Sequence, residues 1–131
     1  MNKKVFYISG IITLFWGTAH LFPTAGVVGD FGNITYDNKL IITMEWIIEG
    51  MALIFLGLLT IVVTKTDTES KLAKNVYILS IGMLFSLAIL SLLTGFRVDF
   101  LPFKLCPIIF SLSAILIIVG MKLKPESKSK N

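Results

Sequence analysis

The sequence predicts an all-α protein, a four-helix transmembrane bundle running up-down-up-down with both termini cytoplasmic. Three observations carry this. Of 131 residues, 55% are hydrophobic and 15% charged, where a soluble domain has about 45–50% and about 25%. The apolar residues gather in four runs, 5–22, 41–63, 76–94 and 105–121. Each has the roughly 17–25 residues with which a helix crosses a bilayer. The basic residues are also unevenly divided, because nine of twelve lie before the first run, between the second and third, or after the fourth. Cytoplasmic segments collect Lys and Arg, so 64–75 and both termini are expected inside, with 23–40 and 95–104 outside.

These features exclude a soluble globular enzyme and a disordered chain, and a single cysteine excludes an internal disulfide framework. The formal charge of +4 reads as an orientation signal. The expected partner is the lipid bilayer, and nucleic acid is not expected. One integral membrane domain covers 1–131, ending in a basic cytoplasmic tail, 122–131. Strands are not expected, since a lone strand leaves its backbone unsatisfied in lipid and the alternation of a barrel is missing.

The first run follows Lys3 and Lys4 and is read as a retained span rather than a cleaved signal. Its Gly10, Thr13, Gly17 and His20 fall on one helical stripe, and small residues at such spacing let helices approach closely in lipid. The connection 23–40 contains Gly26, Gly29, Gly32 and Asp37-Asn38, which favour turns. The second run contains Glu45 and Glu49. The third contributes a small pair, Gly82 and Ser86, with hydroxyls at Ser80, Ser91 and Thr94. The fourth opens at Cys106-Pro107, where proline suits a first helical turn, and continues a small seam through Ser113 and Gly120.

The two glutamates are the least ordinary feature. They lie four residues apart on one helix face. An ionisable group at membrane depth costs ~2.5–3.5 kcal/mol on insertion scales. On a rise of about 1.5 Å per residue, they sit roughly 6 and 12 Å below the outer end of the span. His20, Arg97 and Lys104 fall in the same leaflet. The expected site is therefore an outward-opening polar pocket of His20, Glu45, Glu49 and Arg97, lined by Trp16, Trp46, Ser91 and Cys106. Glu49 is the expected protonatable centre, with Glu45 paired to His20 or Arg97 and Arg97 clamping the mouth. A metal, if bound, would use His20, Glu45 and Glu49. Met44 and Met51 read as core, and Cys106 as a small buried residue.

This constellation fits binding, and movement, of a small ligand, cation or proton. An alternative is a membrane-embedded enzyme, in which a Glu–His pair performs acid–base chemistry on a lipid-soluble substrate. A third reading is a structural or accessory subunit with a buried polar network. The residues specify no cofactor. Movement across the membrane would call for a homo-oligomer, with Gly82/Ser86 or Gly50/Gly57 as candidate faces.

The blocks Gly17-Thr18-Ala19-His20-Leu21-Phe22-Pro23-Thr24 and Ile41-Ile42-Thr43-Met44-Glu45-Trp46-Ile47-Ile48-Glu49-Gly50 resemble those of small four-helix bacterial membrane proteins to which no activity is attached. In size and layout the chain is similar to DoxX-like proteins. The resemblance implies a bacterial inner membrane location. Small multidrug-resistance exporters share the four helices and an embedded glutamate. Here the glutamates lie in the second span rather than the first, and the charge bias fixes one orientation. Both features depart from that pattern.

Overall fold

Residues 1–123 are described by a computed structural model; of the expected tail 122–131, residues 124–131 lie outside them. The described chain is helical, with no strand: α1 (Lys3–Leu21), α2 (Thr24–Asp30), α3 (Tyr36–Thr66), α4 (Lys71–Leu93), a 3-10 turn (Gly95–Arg97) and α5 (Leu101–Lys122). Caps explain most boundaries. The side chains of Asn2, Thr35 and Ser70 accept from Lys4 N, Asn38 N and Ala73 N, at 3.0, 3.3 and 3.1 Å, satisfying backbone donors that an open helix end leaves orphaned.

Helices α3 and α4 run past the expected spans and shorten the 64–75 connection to 67–70, and two further regions differ from the sequence expectation. The connection 23–40 is not an open loop, because it holds α2 and the start of α3. Pro23 has no N–H to continue α1, and the chain bends by 57° between α1 and α2. Gly26 and Gly29 sit inside α2; only Gly32 takes the left-handed backbone, φ 68°, that spares it the cost of a Cβ. Pro107 is likewise not at a first turn. Helix α5 begins at Leu101 with Pro102 in its opening turn, so Pro107 stands inside the helix.

Helices α3, α4 and α5 are each long and apolar enough to cross a membrane, α4 being measured through its 3-10 turn to Arg97. Helix α1 includes Lys3 and Lys4 and reaches the required length and hydropathy only together with α2, across the 57° bend. The surface supports an integral membrane protein. Phe15, Met44, Ile48, Met51, Phe55, Leu79 and Leu90 are all exposed, more apolar surface than a soluble monomer leaves to water.

Helix α1 packs on α3 and α5, and α4 packs on α5. The α1–α3 seam is made of glycines: a Cβ at Gly57 would lie 2.6 Å from Leu14 N, and one at Gly17 would lie 2.9 Å from Gly50 O. Since Gly10 meets Gly57 and Gly17 meets Gly50, α1 and α3 run in opposite directions. The α1 stripe foreseen in the sequence is buried. So are Cys106, Ser113 and Gly120 on α5, where Ser9 Oγ donates to Ser113 O at 2.8 Å and Phe6 covers Gly120. Gly50 and Gly57 are thereby used within the chain and do not form an oligomer face. Gly82, by contrast, has open space around it.

At the end nearest Met1 the core is filled. Phe6 and Tyr77 stack with ring centroids 4.2 Å apart, and Thr64 Oγ1 lies 3.0 Å from the Tyr77 hydroxyl, joining α3 to α4. Beyond that contact α3 and α4 separate, and the site lies where they do.

Candidate functional site

All four long helices contribute to the site. His20 is one residue from the end of α1. Trp46 and Glu49 lie one turn apart on α3. Ser91 is near the end of α4, and Phe103 and Cys106 are in the first turns of α5. The gap between α3 and α4 forms a groove of about 720 Å³, lined by Glu45, Trp46, Glu49, Met83, Leu90 and Phe103 among others. At its inner edge is a smaller cavity of about 80 Å³, bordered by Glu49, Ser91, Thr94, Phe103 and Cys106. That is room for several waters, since one needs roughly 10–15 Å³.

The His20 ring is held by Trp46, which Phe103 supports in turn. It stacks on Trp46 with centroids 3.9 Å apart and 16° between planes. Phe103 meets the other part of Trp46 edge-on at 5.3 Å. Trp46 Nε1 donates to the His20 carbonyl at 2.9 Å, so the indole fixes both the backbone and the ring of His20. The His20 side chain is only 4% exposed, and its Nε2 lies 3.7 Å from Glu49 Oε2, too far for a hydrogen bond. Nε2 is buried with no hydrogen-bond partner. Glu49 is half-buried, with its side chain 29% exposed. Cys106 is buried and unbridged. The Trp16 indole N–H lies beside its thiol, short of hydrogen-bond geometry. The ligand atoms of His20, Glu49 and Cys106 all lie within 4.8 Å of one another.

The expected residues divide into two groups. His20, Glu49, Trp16, Trp46, Ser91 and Cys106 gather at or beside the site. Glu45 is exposed on the groove wall and makes no ion pair among the described residues. The carboxylate beside His20 is that of Glu49, not Glu45, because of the two only position 49 turns toward the end of α1. Arg97 is exposed on the 3-10 turn, lines neither cavity and, among the described residues, clamps no carboxylate. Lys104 is also elsewhere, with Nζ donating to Asp99 Oδ1 at 2.8 Å, which holds the Asp99 carboxyl below the usual carboxylate range.

Of the set His20, Glu45 and Glu49 expected for a metal, His20 and Glu49 lie close together, and the third ligand-type atom beside them is that of Cys106 rather than Glu45. The large groove runs along the side of the bundle between α3 and α4 and reaches Phe31, Gly95 and Val98 in the connections at its end. A second hollow of about 380 Å³, between α2 and the α4–α5 connection, shares Phe31, Val98 and Phe103 with the groove. Thr94, named in the sequence as a hydroxyl of the third run, borders both the groove and the small cavity. Sequence reasoning missed Phe31 and Phe103, whose only signal was aromatic residues close to the predicted span ends.

Compared with known proteins, the chain matches no family model, no curated protein and no solved structure.

Proposed function

We propose that the chain is a bacterial inner-membrane protein that crosses the bilayer four times, the bent α1–α2 pair being the first span, with both ends cytoplasmic. Its function is to bind a small cation at Glu49 and His20. The observation that carries this reading is the buried imidazole nitrogen of His20, which has no partner, 3.7 Å from a half-buried carboxylate. A buried polar atom left unsatisfied costs ~1–3 kcal/mol. A bound cation that engages both groups removes that cost. Binding is favoured over movement across the membrane by a single chain, because the other half of the bundle is closed by the Phe6–Tyr77 stack.

Calorimetric titration of chelator-treated protein in nanodiscs tests this, using Na⁺, K⁺, Mg²⁺, Ca²⁺ and Zn²⁺ in turn. The expected result is one saturable site for at least one of these ions, abolished by Glu49→Gln and retained in Glu45→Gln. No saturable binding, or equal loss in both variants, overturns the reading.

A second reading is favoured by the sideways groove. Its apolar walls lead from the lipid-facing surface to Glu49, so a lipid-soluble substrate reaches a carboxylate and an imidazole, the groups of acid–base catalysis. Turnover of such a substrate by purified protein, lost in Glu49→Gln, would establish it.

A further inference from the structure

We propose that His20, Glu49 and Cys106 bind a thiophilic divalent transition metal of the zinc type, leaving a fourth coordination position open toward the small cavity at the base of the α3/α4 groove. This rests on the reading of Glu49 and His20 as a cation site and names the cation class.

Four observations converge. The first is the donor set. An imidazole, a carboxylate and a thiol from three different helices bring their ligand atoms within 4.8 Å of one another. Zinc bonds these atoms at about 2.0–2.3 Å in a tetrahedron, which sets neighbouring ligands roughly 3.5 Å apart. The His20–Glu49 separation of 3.7 Å already meets this, so only the thiol has to close in.

The second is the imidazole. His20 is 7% exposed, and its Nε2 points at the Glu49 carboxylate without a hydrogen bond. The stacked Trp46 ring and the bond from its indole to the His20 backbone hold the ring in that orientation. Ligand histidines are usually oriented by a hydrogen bond at the second ring nitrogen; here stacking on the indole orients the ring.

The third is charge. The metal displaces the thiol proton, which leaves through the groove, as thiolate binding requires. One thiolate and one carboxylate then cancel the two positive charges of the ion, and the imidazole stays neutral. A loaded site without net charge suits apolar surroundings, where an isolated ion is heavily penalised.

The fourth is the open side. Three protein ligands with a vacant fourth position define catalytic rather than structural zinc sites. Here Glu49 and Cys106 border a cavity of about 80 Å³ that also includes Ser91 and Thr94. A metal-bound water fits there, and the groove would deliver a lipid-soluble donor molecule to replace it.

The chain has one histidine and one cysteine, which makes the test direct. Chelator-treated protein in nanodiscs is titrated with Co²⁺ and Zn²⁺. The expected result is one metal per chain, an intense thiolate-to-cobalt charge-transfer band, and displacement of Co²⁺ by Zn²⁺. Cys106→Ser keeps the side chain's size and removes the band. His20→Ala, Glu49→Gln and Cys106→Ser each weaken zinc binding by more than the roughly 10–100-fold that loss of an outer-shell partner costs. Glu45→Gln leaves binding unchanged.

Melting curves of the metal-free proteins identify any variant that has failed to fold, and the cobalt band of the wild type decides the matter independently of the variants. Saturable binding that needs Glu49 and His20 but shows no thiolate band, or survives Cys106→Ser, overturns the metal assignment and leaves the cation site standing. Absence of any metal binding, with no other cation bound, overturns both.

Discussion

The two ends of the bundle both bury polar residues, hydroxyls at one and ionisable groups at the other, and use them in opposite ways. Near Met1, the polar side chains that enter the core mostly find partners: Ser9 bonds the Ser113 backbone, and Thr64 bonds both the Thr60 carbonyl and Tyr77. Among the described residues there, only the hydroxyls of Ser80 and Ser113 go without. At the far end, a histidine, a carboxylate and a thiol are brought together without one hydrogen bond among them. The same glycine-lined seam supports both halves, so the difference does not come from how tightly α1 and α3 pack. It comes from α3 and α4, which meet at Thr64 and Tyr77 and separate around Glu49. The lesson is that a helical bundle can close one half fully and leave the other half with unsatisfied, ligand-ready groups.

The strongest way to break this arrangement is to force the shared seam apart. A Cβ at Gly57 would meet Leu14 N, Gly10 O and Leu14 Cα at 2.6–2.8 Å, all backbone atoms that cannot swing aside. Gly57→Val is expected to cost at least the ~1–3 kcal/mol typical of overpacking. Thermal unfolding in detergent should show a large drop in Tm and loss of both halves together. Gly82→Ala, in open space, is the matched control and should change stability by less than about 1 kcal/mol.

Next in size is the closed half alone. Phe6→Ala removes a fully buried ring that stacks on Tyr77 and covers Gly120. In a soluble core such a change costs ~3–5 kcal/mol. Lipid is no less hospitable to the ring than the core is, so the expected loss is smaller, on the order of 2 kcal/mol. The prediction that sharpens the comparison is that cation binding at Glu49 survives, about 20 Å away on a rise of ~1.5 Å per residue. Loss of binding with retained folding would show that the halves are coupled.

Much of this was legible in the sequence, for identifiable reasons. Small residues at helical spacing have few uses in lipid, so Gly10, Thr13, Gly17 and His20 announced the packed face of α1. Glutamate is expensive at depth, so Glu49 announced a site. The choice between Glu45 and Glu49 was hidden, because the two differ by only about 40° around the helix and the decision belongs to how α3 is rotated against α1. Helix α2 was hidden because Gly26 and Gly29 read as turn residues. The place of Cys106 beside His20 and Glu49 was hidden too, since its neighbours come from two other helices. The α3/α4 separation depends on which pairs of helices become neighbours, and no single span carries that information.

Smaller effects compare single groups in the two halves. Tyr77→Phe removes one hydrogen bond to Thr64, and Glu49→Gln removes a carboxylate that has none. Interhelical hydrogen bonds in membranes average about 0.6 kcal/mol, so each variant should shift stability by less than about 1 kcal/mol. Only Glu49→Gln should alter cation binding. If Glu49→Gln instead unfolds the protein, the open half is held together by that carboxylate and the contrast between the ends disappears.

The smallest expected effect lies outside the spans, at the closed end. The Met1 ammonium donates to Glu69 Oε1 at 2.6 Å, and Lys74 Nζ lies 3.9 Å from Oε2. The hydrogen bond from the terminal ammonium, first of all, holds the Glu69 carboxyl below its ordinary value. A carboxyl lowered on folding contributes stability above the unfolded value, about 4.3, and loses it as pH falls through the folded value. The contribution should therefore be constant from neutral pH down to about pH 4.3 and vanish below it. Other carboxylates titrate in the same range, so the quantity to measure is the Tm difference between wild type and Glu69→Gln at each pH. That difference should be small, because exposed ion pairs contribute little, and should shrink toward zero in acid. A difference that grows on acidification would mean that Glu69 is not paired with the terminal amine, and that the closed end is secured by its core alone.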